Sequence, residues 1–171
     1  MYRTLPYLGL FAAAALLQVF LFDNLTISIH LNPLVYIVFI ALLPLDTPPA
    51  AVLGAGLALG VTMDFAMGAA GINTIATLFV AFCRPTLLNL LAGKDEVKDG
   101  GIPNVNRLGI KKFIKYASFM VLLHSTVFFI FETLSLHFFY LTLLRILLSS
   151  AVTLLLVYFC QRLFSVNRQK P

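Results

Sequence analysis

The chain has 171 residues, of which 60% are hydrophobic and 11% are charged, and its formal net charge is +5. Soluble domains carry about 25% charged residues, so this composition excludes an ordinary soluble protein and indicates a single domain, residues 1–171, that lies in a membrane. The basic residues form no single exposed stripe, so the positive charge does not indicate nucleic-acid binding.

Six apolar segments approach the roughly 20 residues that an α-helix needs to cross a bilayer. The first is expected to remain as an uncleaved helix, because its alanines lie in the middle of the run and a cleavage site belongs at the end. The second is short, since Pro33 and Pro44 leave only residues 34–43 uninterrupted, and a re-entrant segment is its alternative. The six segments are residues 5–22, 31–45, 49–69, 72–92, 113–131 and 139–161.

The basic residues indicate which side of the membrane each connection faces, because short cytoplasmic loops are rich in Lys and Arg. With six crossings, ten basic residues lie on the inner side, and the outer connections carry only Asp23, His30, Glu132 and His137 as titratable groups. The sequence therefore predicts an all-α membrane protein with six transmembrane helices, cytoplasmic N- and C-termini and a solvated, irregular cytoplasmic loop at about residues 93–112. The ten inner residues are Arg3, Lys94, Lys98, Arg107, Lys111, Lys112, Lys115, Arg162, Arg168 and Lys170.

The third segment carries Gly56, Gly60, Asp64 and Gly68 at intervals of four residues, which places them on one face of a helix. Glycines on such a face let a neighbouring helix approach closely. The spacing of the glycines fits neither the dinucleotide-binding nor the Walker pattern, so helix packing is the interpretation. Packing does not explain Asp64, and because a charge in the membrane costs about 3 kcal/mol or more, a partner is expected.

Depth along the helices selects a partner for Asp64, at a rise of about 1.5 Å per residue. Asp64 lies about 7 to 8 Å below the outer boundary, Arg145 about 9 Å and Arg84 about 18 Å. We therefore predict an ion pair of Asp64 with Arg145, which requires the third and sixth helices to be neighbours; Glu132 is the rival partner of Arg145. Arg84, beside Pro85, is expected to have a structural role, with its stem directed toward the inner surface.

Other polar residues have simpler interpretations. Tyr36 and Tyr116 are expected near helix ends, in interfacial aromatic belts. His124 and Ser125 suggest a base and a nucleophile, as in rhomboid-like proteases, but neighbours on a helix point about 100° apart and no Gly-x-Ser-Gly run occurs, so hydrogen bonding between helices is preferred. The sequence predicts no catalytic, metal-binding or cofactor-binding residues.

The chain resembles the bacterial rod shape-determining membrane protein MreD family. The resemblance lies in six helices, the Pro-containing second segment, the glycine-rich third helix that continues from Asp64 to Gly68 and Gly71, and an Arg on the fourth helix, and it covers nearly the whole chain except residues 95–106. It implies a non-enzymatic scaffold of the cell-elongation machinery in the bacterial inner membrane, involved in rod shape and lateral peptidoglycan synthesis. The implied partners are an MreC-like shape protein, the peptidoglycan synthase complex and membrane lipids, with no cofactor.

Members of this family are similar in fold to the substrate-binding subunits of energy-coupling-factor vitamin transporters, so a small-molecule (vitamin)-binding transporter subunit is the alternative function. The scaffold is favoured because few polar groups are available for an outer pocket and the chain has no Trp to stack on a vitamin ring. Those groups are Asp64, Asn73, Thr74, Thr77, Glu132 and Arg145. The residues expected to hold the bundle together or to meet a partner are Asp64, Arg145, Arg84, Gly56, Gly60, Gly68 and Glu132; the oligomeric state is not predicted.

Overall fold

The computed structural model describes residues 5–22, 31–133 and 139–166, and this part of the chain is helical. Four of its helices are long and apolar enough to cross a membrane. They are α3, Pro49–Met67; α4, Ile72–Leu91; α6, Val105–Thr133; and α7, Phe139–Val166. Six of the residues whose side of the membrane was predicted lie outside the described residues: Arg3, Asp23, His30, His137, Arg168 and Lys170.

Three shorter helices complete the described fold. Helix α1 spans Leu5–Leu16 and continues as a π-helical stretch, Leu17–Phe22; a 3-10 turn, Val35–Ile37, leads into α2, Val38–Ala41; and α5 spans Lys94–Lys98. At about 1.5 Å per residue, residues 35–41 rise only about 10 Å, a third of the apolar thickness of a bilayer. The second predicted segment is therefore not a membrane-length helix.

The four long helices form two antiparallel hairpins. Helix α3 packs against α4, α4 against α6, and α6 against α7, so α4 and α6 lie between α3 and α7. Residues 31–45, which we call the core segment, contact α1, α3 and α7 and fill the middle of the bundle. Residues 34–43 of this segment are all buried. The hydrophobic core is thus built around a chain segment whose only helical part is short, from Val35 to Ala41.

The ends of α3 follow from its sequence. Pro49 is tolerated in the first turn of a helix because its missing N–H would have no partner there. The helix ends at Gly68, which has a φ of 65°, a left-handed conformation that glycine adopts without a steric penalty. Gly71, with a φ of 88°, then precedes α4. A tight turn at residues 68–71 therefore brings the ends of α3 and α4 together.

The predicted irregular loop at residues 93–112 is partly helical. It contains α5 and the beginning of α6, which bends at Gly109, where φ is 74° and ψ is 156°. The backbone N–H of Leu45 donates a hydrogen bond of 2.8 Å to the carbonyl of Gly101. The loop therefore packs on the end of the core segment, and we call this end of the bundle the loop end.

Candidate functional site: a buried polar network

Gln18 in the π-helical stretch is completely buried and bonds to the core segment from one side. Its Nε2 donates to the carbonyl of Pro33 at 3.1 Å, and its Oε1 accepts from the backbone N–H of Val35 at 2.7 Å. Backbone groups outside a regular helix are tolerated at membrane depth only where the protein satisfies them. Gln18 therefore supplies two of the bonds that the core segment cannot make within itself.

Two hydroxyls of α7 bond to the same segment. Ser149 Oγ accepts from the N–H of Asn32 at 3.0 Å, and Thr153 Oγ1 accepts from the N–H of Leu34 at 3.1 Å. Ser149 and Thr153 are four residues apart, so they lie on one face of α7. The start of the core segment is thus bonded to side chains of both the π-helical stretch and α7.

Arg84 of α4 satisfies the other end of the core segment. Its side chain is buried, with a relative exposure of 1%. Nη2 donates to the carbonyls of Leu43 and of Pro44, the second at 3.3 Å, and Nε donates to the hydroxyl of Tyr116 at 3.2 Å. Tyr116 in turn donates to the carbonyl of Ala41 at 3.0 Å. The last carbonyls of a helix have no partner within it, and Arg84 and Tyr116 supply those partners after α2.

These contacts correct two expectations. Arg84 has the structural role that was expected, but its stem does not lead to the inner surface, because its guanidinium is held by buried acceptors. Tyr36 and Tyr116 are also completely buried, so their predicted positions in interfacial belts are wrong. Both hydroxyls find hydrogen-bond partners inside the bundle, which is what buried tyrosines require.

Asp64 lies at the end of α3, opposite the first turn of α4. Its Oδ1 accepts from the backbone N–H of Asn73 at 2.9 Å and from Asn73 Nδ2 at 3.1 Å. Its Oδ2 accepts from the backbone N–H of Thr74 at 3.0 Å and from the Thr74 hydroxyl. The first N–H groups of a helix lack partners within it, and the helix dipole favours a negative charge there. Asp64 therefore caps α4 across the turn.

The predicted ion pair of Asp64 with Arg145 is wrong. Arg145 Nη1 lies 2.9 Å from Glu132 Oε2, Nη2 donates to Oε1 at 3.3 Å, and the guanidinium stacks on the Phe129 ring at 4.8 Å. Equal depth does not bring Asp64 and Arg145 together, because α4 and α6 separate α3 from α7. The rival partner, Glu132, sits on α6, the helix against which α7 packs.

A chain of side-chain bonds continues from Asp64 to α6. The Tyr36 hydroxyl donates to Asn73 Oδ1 at 2.7 Å and lies 3.1 Å from His124 Nε2. Because Tyr36 gives its one proton to the amide oxygen, Nε2 of His124 is assigned as the protonated nitrogen. Within the described residues, His124 Nδ1 and Ser125 Oγ have no hydrogen-bond partner, so these two side chains do not form the base and nucleophile pair considered above.

The glycines of α3 have two different roles. A Cβ on Gly56 would lie 2.9 Å from Ala81 Cβ, and one on Gly60 would lie 2.5 Å from the Cα of Thr74. Both positions therefore need glycine for the close approach of α4. A Cβ on Gly68 would meet nothing within 4 Å, so this glycine is not needed for helix packing. Its role is to end α3 through its positive φ.

Sequence reasoning missed Gln18, Ser149 and Thr153 as parts of the network. Each is a polar residue within a long apolar run, which in a membrane segment is a signal of a buried partner. The partner itself is not predictable from these residues, because nothing in the sequence shows which backbone groups of the core segment lie outside a regular helix.

Comparison with models of protein families, with curated proteins and with solved structures finds no match to the chain.

Proposed function

We propose that this protein is a non-enzymatic scaffold of the bacterial inner membrane, a component of the cell-elongation machinery that acts in rod shape and lateral peptidoglycan synthesis. The resemblance of its sequence to MreD proteins supports the family and the partners, namely an MreC-like shape protein and the peptidoglycan synthase complex. The buried polar network supports the scaffold role, because it fixes the helices relative to one another. A bundle fixed in this way presents constant surfaces to its partners.

The observation that carries the proposal is that the buried polar side chains already form hydrogen bonds with other groups of the same chain. Asp64 accepts four hydrogen bonds from Asn73 and Thr74, and Thr77 donates to the carbonyl of Asn73 at 2.6 Å. These residues are among the groups that a vitamin pocket would need. A ligand would have to replace bonds that already stabilise the bundle, and leaving such groups unpaired costs about 1–3 kcal/mol each. This favours a scaffold over a vitamin-binding subunit.

We infer six crossings with both termini in the cytoplasm. The core segment is bonded near its start, at Asn32, to Ser149, about 15 Å into α7, and at its end, at Leu45, to Gly101 of the loop. It therefore passes from the middle of the bundle to the loop end, which is the path of a chain that returns from the far side after α1. The loop end carries Lys94, Lys98 and further basic residues, so it is assigned to the cytoplasm.

Depletion of the protein in its rod-shaped host tests the function. The scaffold proposal predicts rounding of the cells and recovery of rod shape on re-expression. Purification under mild conditions should yield a shape-complex protein without a bound small molecule. Unchanged shape together with a vitamin requirement, and a co-purifying vitamin and ATPase module, would instead establish the transporter subunit.

Labelling of introduced cysteines in intact cells tests the orientation. The unpaired Cys83 and Cys160 are first replaced by Ala. Ala70→Cys, in the exposed turn between α3 and α4, should react with a membrane-impermeant maleimide, whereas Lys98→Cys in α5 should react only after the membrane is permeabilised. Labelling of Lys98→Cys from outside would reverse the assignment.

A further inference from the structure

A groove runs along the outside of the bundle between α6 and α7. It consists of two adjoining cavities of about 180 and 360 Å³ that share Ala151 and Leu154 in their walls. Its walls are mainly apolar, and large wall side chains such as Ile110 and Leu155 are exposed. The groove therefore faces the surroundings of the bundle and extends toward the loop end, where Ile110 and Tyr158 form its last walls.

Two basic residues flank the end of the groove. Arg162 lies one helical turn beyond Tyr158, with its guanidinium 5.9 Å from the centre of the Tyr158 ring and 3.5 Å from its hydroxyl. Lys111 follows Ile110 on α6. Within the described residues neither Lys111 nor Arg162 has a carboxylate partner. The groove thus ends beside two cations that no acidic residue of the described part of the chain balances.

Two neighbouring basic residues of α6 differ in this respect. Lys112 pairs with Glu96 at 3.4 Å, and at about 100° per residue it points away from the groove. Arg107 pairs with Asp99 at 3.6 Å. Lys94, Lys98 and Lys115 also lack a carboxylate partner within the described residues, so what distinguishes Lys111 and Arg162 is their position beside Ile110 and Tyr158, the last walls of the groove.

We propose that this groove and these two cations form a binding site for an anionic phospholipid. The acyl chain lies along the groove, and the headgroup phosphate lies between Lys111 and Arg162. Arg and Lys are the usual protein partners of phosphate oxygens, and the apolar walls match a hydrocarbon chain. An apolar transmembrane helix of a partner would fill the groove but would leave both cations unbalanced, so the lipid is the better complement. The lipid's assignment to the inner leaflet rests on the proposed orientation; the site itself does not.

Native mass spectrometry of the full chain in mild detergent tests the charge at the site. The protein is titrated with phosphatidylglycerol or with phosphatidylcholine of the same acyl chains. Lys111→Gln with Arg162→Gln should weaken binding of the first phosphatidylglycerol about 30-fold. The control, Lys98→Gln with Lys112→Gln, removes the same net charge away from the groove and should weaken binding less than about threefold. Equal losses in the two double variants would show diffuse surface attraction and overturn the proposal.

The groove itself is tested without changing charge. Ala151→Phe places a ring in the wall shared by both cavities and should abolish the preference for phosphatidylglycerol. Ala58→Phe, on the exposed face of α3, is the control and should leave it unchanged. Circular dichroism melting establishes that each variant is folded.

Three outcomes count against the lipid site. Undiminished binding by Ala151→Phe would remove the groove from the site. Equal competition by inorganic phosphate would show an anion site with no role for the acyl chain. Crosslinking of the groove to another protein's helix, with no preference for phosphatidylglycerol over phosphatidylcholine, would make a partner helix the occupant. None of these results depends on the cell-shape experiment, so failure of the site and failure of the scaffold proposal are distinguishable.

Discussion

Gly60→Ala tests the close packing of α3 on α4 and its connection to Asp64. The added methyl group would meet the Cα of Thr74 at 2.5 Å. Carbon atoms pack at about 3.5–4.0 Å, so the two helices must move apart by about 1 Å at this level. The same movement would lengthen the bond from the Thr74 N–H to Asp64, now 3.0 Å, beyond hydrogen-bonding distance.

The expected loss of stability combines three terms. Forcing a methyl group into a packed interface costs about 1–3 kcal/mol. Weakening the bonds of Asp64 to the two backbone N–H groups of α4 costs about 1 kcal/mol for each bond. Alanine recovers about 1 kcal/mol because it is a better helix former than glycine. The net decrease in the free energy of unfolding is therefore about 2–4 kcal/mol.

Gly54→Ala is the matched control for this experiment. Gly54 lies in the same helix, but a Cβ there would meet nothing within 4 Å. The free energy of unfolding in lipid bicelles, measured for both variants, should fall for Gly60→Ala and should stay equal or rise by up to about 1 kcal/mol for Gly54→Ala. If the two variants agree within about 0.5 kcal/mol, the reasoning from the 2.5 Å contact is refuted.

Three further changes test the polar network. Asp64→Asn turns one acceptor oxygen into a donor; it should cost about 1–2 kcal/mol and speed hydrogen exchange of the first amides of α4, and unchanged exchange would show that Asp64 is not their cap. A double-mutant cycle of Glu132→Gln with Arg145→Gln should give a coupling of about 0.5–1 kcal/mol, whereas Asp64→Asn with Arg145→Gln should be additive; the reverse result would restore the pair predicted from depth. Arg84→Lys keeps the charge but loses the planar fork that reaches three acceptors, so it should lower the free energy of unfolding by about 1–3 kcal/mol; a variant as stable as the wild type would contradict the role of Arg84.

The starts of α3 and α4 were predictable because local signals set them, whereas α6 begins at Val105, eight residues before the predicted start at Phe113. Pro49 begins α3, and Ile72 begins α4 after Gly71. Hydrophobic length and the positions of Pro and Gly are properties of the sequence alone. The conformation of the core segment was not predictable, because it depends on side chains of the π-helical stretch, α4, α6 and α7 that bond to its backbone. Nothing within residues 31–45 specifies those partners.

The part of the site on α3 was predictable in its members but not in its pairs. The four-residue spacing on α3 predicted one face of Gly56, Gly60, Asp64 and Gly68. The first three do pack on α4, whereas Gly68 ends the helix. Depth alone then assigned the wrong cation to Asp64, since it contains no information on which helices are neighbours. Asp64 needs no cation as a partner, because the free N–H groups at the start of α4 provide several hydrogen-bond donors at one place.

The buried network connects four parts of the bundle at one level. Asp64 of α3 bonds to Asn73 of α4, Asn73 to Tyr36 of the core segment, and Tyr36 to His124 of α6. In a membrane, apolar side chains do not drive helices together as they do in water, because lipid is equally apolar. Polar bonds of this kind therefore specify which helices are neighbours. A change at any of the four residues should loosen the others as well, so paired substitutions along this chain should be less costly than the sum of the single ones.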